Sequence, residues 1–129
     1  MKRAALLVAM CTPAGAMAQS VNCAAPVNQV EMTFCAGQAY EAADGDLNLA
    51  YRMAMDQARA LDSHDPQTPS NADLMRDAQR AWIPFRDAAC SAESTLARGG
   101  SMQNQLFLMC MERLTRARTE DLRFYGEVN

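Results

Sequence analysis

The stretch NQVEMTFCAGQAYEAADGDLNLAYRMAMDQARAL, Asn28–Leu61, decides the fold class. Its apolar residues fall at Val30, Phe34, Tyr40, Ala43, Leu47, Tyr51, Ala54, Ala58 and Leu61. That spacing follows a period of about 3.6 residues and not the period of about 2 that a strand requires. The segment therefore reads as one long amphipathic helix, with Gly45 as a candidate interruption capped by Asp44 or Asp46. Glu31, Glu41, Asp56 and Asp62 fall mostly on its outer face. Asp44-Gly45-Asp46-Leu47-Asn48 imitates the opening of a calcium loop, with oxygens in the first, third and fifth places. Such a loop needs glycine in the sixth place and a bidentate glutamate in the twelfth, where this chain has Leu49 and Met55, so calcium is not expected.

Beyond this helix, Asp62–Asn71 carries Pro66 and Pro69 among small polar residues, which ends one helix and forbids its immediate resumption. His64, the only histidine, lies in this linker and reads as plain surface. Ser70 or Asn71 is placed to cap the next helix, with Asp73 in its first turn. The second helix is expected from about Ala72 to Leu96, burying the stripe Leu74, Ala78, Trp82, Phe85 and Ala89, so that Trp82 and Phe85 are core residues. Pro84 removes one backbone bond and presses on the carbonyl of Arg80, which predicts a kink near 80–83. Arg98-Gly99-Gly100 ends this helix. Ser101 then caps a third, to about Tyr125, with the stripe Leu106, Cys110, Leu114, Ala117 and either Asp121 or Leu122. No segment alternates like a strand. The expected fold is all-α, an antiparallel three-helix bundle.

The N-terminus has a basic head, Met1-Lys2-Arg3, an apolar run Ala4–Cys11, and Ala16-Met17-Ala18, which predicts a signal peptide over residues 1–18. Cleavage near Ala18-Gln19 leaves a single domain, 19–129, expected to be periplasmic or secreted. The apolar run falls well short of the roughly 20 residues that span a bilayer. A lipid-anchor site at Cys11 would have a small residue before it and here has Met10, so Cys11 is expected to leave with the signal. Cys23, Cys35, Cys90 and Cys110 remain, an even set that predicts two disulfides. Their spacings fit no zinc pattern. Cys90 lies late in the second helix and Cys110 about three turns into the third, so the Gly-Gly reversal brings them abreast. Cys23 can fold back along the first helix to Cys35. The expected pairs are Cys23–Cys35 and Cys90–Cys110, which staple the bundle.

Without Lys2 and Arg3, ten basic residues face fifteen acidic ones, a net charge of −5. The imbalance is local: Gln19–Asp73 has eight acids and two arginines, Leu74–Asn129 seven acids and eight arginines. An acidic half disfavours nucleic acid and suits either plain solvation or a basic partner. Met53-Ala54-Met55 and Met109-Cys110-Met111 offer soft sulfur of the kind copper(I) favours, but methionine is also an ordinary filler of helix interfaces. No metal or cofactor is expected. The chain has no Ser/His/Asp set and no phosphate-cradling glycine loop, so it is not expected to be an enzyme.

Adjacent residues on a helix point about 100° apart, so Arg86 and Asp87 are expected to reach other helices and not each other. Arg86 is expected to face Asp44 or Glu41, and Asp87 to face Arg118 or Arg113. Taken in order, Cys35-Ala36, Tyr40, Asp44, Leu47-Asn48, Tyr51, Gln79-Arg80-Ala81-Trp82-Ile83, Phe85-Arg86-Asp87, Cys90, Gly100-Ser101, Cys110, Leu114-Thr115, Arg118 and Leu122 resemble the lysozyme-inhibitor LprI-like family. The W-x-x-[FY]-R-D-x-x-C core carries most of that resemblance, and Pro84 departs from it, since a helix-friendly residue is usual there. The resemblance implies a small secreted or envelope helical domain with disulfides, in which Asp44, Asn48, Tyr51, Gln79, Trp82, Phe85, Arg86, Asp87 and Arg118 are structural.

Two functions follow as expectations. One is an inhibitor or binder of lysozyme-type muramidases. Common animal lysozymes are basic and carry two carboxylates in the cleft, so the acids Glu41, Asp44, Asp46 and Asp56 would steer the encounter, with Arg80 or Arg86 engaging the cleft. The alternative is an accessory envelope module that binds another protein, with homodimerisation as one form.

Overall fold

The structure, a computed structural model, describes residues 21–62 and 67–127; the expected signal peptide, Cys11 and His64 lie outside them. Helix α1 spans Gln29–Ala60, α2 Asn71–Ser94 and α3 Gln103–Glu127, with a 3₁₀ turn at Thr95–Ala97 after α2. The described residues contain no strand. The all-α three-helix bundle is as expected, and so are both disulfides, Cys23–Cys35 and Cys90–Cys110. Consecutive helices run antiparallel: Tyr40 of α1 meets Arg86 while Ala58 meets Ala72, and Cys90 meets Cys110 while Gln79 meets Arg118. Helices α1 and α3 are therefore parallel. Gln29 Nε2 donates to Gln105 Oε1 at 2.7 Å near one end, and Gly126 lies on Ala54 at the other.

Asn28 caps α1 by accepting from the Glu31 backbone N–H at 2.9 Å, while the Glu31 carboxylate reaches back to the Val27 N–H. The helix then runs unbroken through Gly45, so neither an interruption nor a cap at Asp44 or Asp46 forms. One glycine costs about 1 kcal/mol in a helix interior. Ala43, Leu47, Ala50, Ala54 and Ala58, buried on both sides of it, outweigh that cost. The stripe read from the sequence is buried from Ala43 to Ala58, with Tyr40 and Tyr51 half-buried, but Val30, Phe34 and Leu61 are exposed. Leu61 lies just past the last helical residue of α1, and Val30 and Phe34 lie in its first two turns, away from the buried middle of the bundle.

The alanine face of α1 lets α3 approach closely. A Cβ on Gly126 would stand 3.3 Å from the Ala54 nitrogen and 3.4 Å from the Met53 carbonyl carbon, both backbone atoms that cannot move aside cheaply. Nothing lies within 4 Å of a Cβ on Gly45. Gly126→Val is therefore expected to destabilise by about 1–3 kcal/mol through overpacking. Gly45→Ala should stabilise by about 0.5–1 kcal/mol through helix propensity. Urea unfolding of the two variants checks the opposite signs.

Helix α2 starts from Ser70, whose hydroxyl accepts from the Asp73 N–H, and continues through Pro84. Asp62 accepts from the Ser70 hydroxyl at 2.8 Å and from the Asn71 N–H, which ties the end of α1 to the start of α2. Its buried face is not the stripe expected. Leu74, Ala78 and Phe85 are exposed, and Ala72, Gln79, Arg86 and Cys90 are buried instead, with Met75 and Trp82 packed against the core. Phe85, expected inward, is 62% exposed. Apolar periodicity marked a real face of α2, but the neighbouring helices satisfy the polar groups of another. On α3, Ala117 and Asp121 are exposed while Leu122 is buried, together with Thr115 and Thr119. Thr119 can be buried because its hydroxyl donates to the Thr115 carbonyl one turn back. Gly99 takes φ +76° in the reversal before α3, the left-handed region that favours glycine. Helix α3 begins at Gln103, two residues after the expected cap at Ser101. The Gln103 side chain reaches back to accept the Gly99 N–H at 2.9 Å.

Candidate interaction site

Spacing on each helix assembles the centre of the bundle. Tyr40 and Asp44 stand one turn apart on α1, Gln79, Trp82 and Arg86 share a face of α2, and Thr115 and Arg118 share a face of α3. The Arg86 side chain is only 8% exposed. Its guanidinium lies 5.0 Å from the Trp82 ring centroid and 5.6 Å from that of Tyr40, within cation–π range of both. Asp44 Oδ1 is 3.7 Å from Nη1, and Nη1 donates to Thr115 Oγ1 at 3.4 Å. Of the two partners expected for Arg86, the structure supplies Asp44; Glu41 accepts from Gln38 instead.

Asp87 does not bridge to Arg118 or Arg113. Arg86 Nε donates to its carboxylate at 2.9 Å, so the adjacent residues pair after all. The long arginine stem turns back over its own helix, and the 100° between Cα–Cβ directions does not limit where the guanidinium ends. Arg118 Nε donates to buried Gln79 Oε1 at 3.1 Å, and Arg113 pairs with Glu93. Among the described residues, no buried side-chain nitrogen or oxygen lacks a hydrogen-bond partner. A buried charge is costly unless paired, and this one faces two carboxylates that remain about half exposed and hydrated. Burial pushes the Tyr40 phenol above its ordinary value, while the Arg86 charge pulls the other way. With the folded pKa raised, the associated stability is present at neutral pH and is lost only as pH rises through the phenol range.

Most of the motif residues therefore make interhelical contacts. Asn48 donates to Asp44 Oδ2 one turn away, Tyr51 packs on the Leu47–Ala50–Ala54–Leu122 cluster, and Trp82 joins it from α2. The exceptions are Asn48 and Asp87, whose hydrogen bonds stay within their own helices, and Phe85, which faces solvent. Sequence reading missed Thr115 and Tyr40 as partners of Arg86. The turn-apart pairs Tyr40/Asp44 and Trp82/Arg86 were visible as helix faces, but nothing local said that these two faces meet.

The expected partner-binding residues are accessible but not gathered. Glu41, Asp46, Asp56 and Arg80 are exposed. Glu41 and Asp56 lie on the outer side of α1, and Asp56 is paired with Arg59 at 3.0 Å. Asp46 lies on the α3 side, lining a shallow concavity with Arg116, Thr119, Glu120 and Arg123. Arg86 is too buried to enter another protein's cleft. Arg80 makes no ion pair or side-chain hydrogen bond among the described residues. An open concavity of about 410 Å³ lies where α1 meets α2, lined by Tyr51, Arg52, Met55, Asp56, Arg59 and Arg76.

The chain matches the family described as "Lysozyme inhibitor LprI" over residues 21–122. It is 37% identical over 122 residues to "Uncharacterized protein R02472" of Rhizobium meliloti (strain 1021), covering 92% of this chain and 88% of that one. "Uncharacterized protein YecT" of Escherichia coli (strain K12) is 32% identical over 98 residues, covering 70% of this chain and 60% of that protein. The crystal structure of a DUF1311 family protein from Pseudomonas putida KT2440 superposes with TM-score 0.67 at 22% identity, covering 80% of this chain and 97% of that one. At that identity the likeness speaks to the fold alone.

Proposed function

This chain belongs to the LprI family, and from that premise we propose that it is an exported, non-enzymatic protein that binds and inhibits lysozyme-type muramidases. The family match over residues 21–122 carries the proposal. Export through a signal peptide over residues 1–18 is consistent with the disulfides Cys23–Cys35 and Cys90–Cys110, which persist in oxidising compartments. No helix among the described residues is long and apolar enough to cross a membrane. Five acids against two arginines on α1 give that side a field that attracts a basic protein. Glu41, Asp46 and Asp56 are exposed for the encounter, and Arg80, exposed and without an ion pair among the described residues, is available to meet a carboxylate in the partner's cleft.

Inhibition of a basic animal-type lysozyme by the mature domain, assayed from about 0.05 to 0.3 M salt, tests this reading. Inhibition at micromolar protein is expected, weakening as salt rises. Reversing Glu41, Asp46 and Asp56 together to lysine should slow association roughly tenfold at low salt. No inhibition at micromolar protein rejects the function, and inhibition indifferent to salt rejects the electrostatic part. The exposed apolar side of α2 favours a second reading, an envelope module that binds another protein without acting on lysozyme. Recovery of a different envelope protein on the immobilised domain, with no effect on lysozyme, would support it.

A further inference from the structure

Helix α2 has a second apolar face that the bundle leaves uncovered. Leu74, Ala78, Ala81, Phe85, Ala88 and Ala92 are all exposed, Leu74 at 55% and Phe85 at 62%. Their separations alternate between four and three residues, the heptad spacing that holds a straight seam against another helix. The buried face of α2, through Met75, Gln79, Trp82, Arg86 and Cys90, lies beside this seam, so one helix can pack in both directions. We propose that the chain self-associates through this face, two copies laying α2 antiparallel about a twofold axis level with Ile83.

Shape selects the antiparallel arrangement. About such an axis Phe85 stands opposite the partner's Ala81, Leu74 opposite the partner's Ala92, and Ala78 opposite the partner's Ala88. Every large side chain meets a small one. A parallel pair would set Phe85 on the partner's Phe85 and leave alanines facing alanines. Charge selects the face. Helix α2 has three arginines against four acids, nearly balanced, whereas α1 has two against five. Two acidic copies therefore repel each other least across α2. Along the seam Asp77 stands opposite the partner's Ser91 and Met75 opposite the partner's Ala89, so no like charges are opposed.

Area sets the strength. From Leu74 to Ala92 the seam runs about 27 Å, and a helix about 10 Å wide covers on the order of 270 Å² per copy. That is about a third of the roughly 800 Å² per partner in a standard interface, so the dimer should dissociate in the micromolar range or above. This dimer does not depend on lysozyme binding, and it leaves the acidic side of α1 free.

Sedimentation equilibrium of the mature protein from about 1 μM to 1 mM tests the proposal, a range that brackets the expected dissociation constant. A monomer–dimer equilibrium is expected. Phe85→Glu and, separately, Leu74→Glu should weaken it at least tenfold while leaving the circular dichroism spectrum and thermal midpoint unchanged, because both side chains face solvent. A nitroxide on Ser91→Cys reads the register: the two backbones should stand about 24 Å apart in the antiparallel pair and roughly 10 Å apart in a parallel one. A monomer throughout the range, a dimer untouched by both glutamates, or the short distance overturns the proposal.

Discussion

Arg86→Ala is expected to lower the unfolding free energy by about 3 kcal/mol, a large share of what a domain of this size possesses. The substitution removes a guanidinium held between the Trp82 and Tyr40 rings and strips Asp44 and Asp87 of their cation. It also leaves a void where the arginine stem packed. Breaking a fully buried pair costs about 3–5 kcal/mol because the abandoned charge cannot be solvated. Here both carboxylates are about half exposed and can rehydrate, so the low end applies. Arg86→Lys keeps the charge but loses the planar fork and the stacking, and should cost nearly as much. Arg86→Met fills the volume without a charge to compensate and should recover at least half of the alanine loss. Urea unfolding of the three variants settles the order. An alanine variant as stable as the natural chain would show that the bundle does not depend on this arginine.

Removal of the Cys90–Cys110 disulfide by paired alanine substitution is expected to cost about 3–5 kcal/mol. A separation of 20 residues is worth about 3 kcal/mol in the chain-entropy account. Both sulfurs are also buried, beside Met111 and against Tyr40, Phe107 and Leu114, so packing is lost in addition. The Cys23–Cys35 bond should behave differently. Its separation of 12 is shorter, Cys23 is exposed, and it holds only the segment before α1. Its loss should cost less, at most about 3 kcal/mol, since the shorter loop carries a slightly smaller entropic contribution and little packing is lost with it. Under a rising concentration of reductant, Cys23 and Cys35 should become available to alkylation first, because thiolate attack requires access to sulfur. Mass spectrometry of the alkylated chain gives the order, and early labelling of Cys90 or Cys110 would refute it.

The candidate site was legible in part. The turn-apart spacings Tyr40/Asp44 and Trp82/Arg86 are local facts of a helix, and one of the two partners expected for Arg86 is the one found. Asp87 shows the limit, because a flexible stem of several bonds ends where its surroundings stabilise it and not where its Cα–Cβ bond points. Phe85 and Leu74 show a larger one. The most regular apolar pattern on α2 faces water, while the face holding Gln79 and Arg86 is buried, since Arg118, Asp44 and Thr115 wait on other helices to satisfy those groups.

Sequence by itself determined the three helices, the cap at Ser70, the glycine reversal and the disulfide pairs. Each depends on groups within about four residues along a helix, or on how few residues separate two cysteines. Tertiary structure alone decided which face of α2 turns inward, how near α3 stands to α1 at Gly126, and that Tyr40 closes over Arg86. Those outcomes depend on what a distant segment presents at the moment of packing: a polar side chain is buried wherever its partners are, and no local period records where that is.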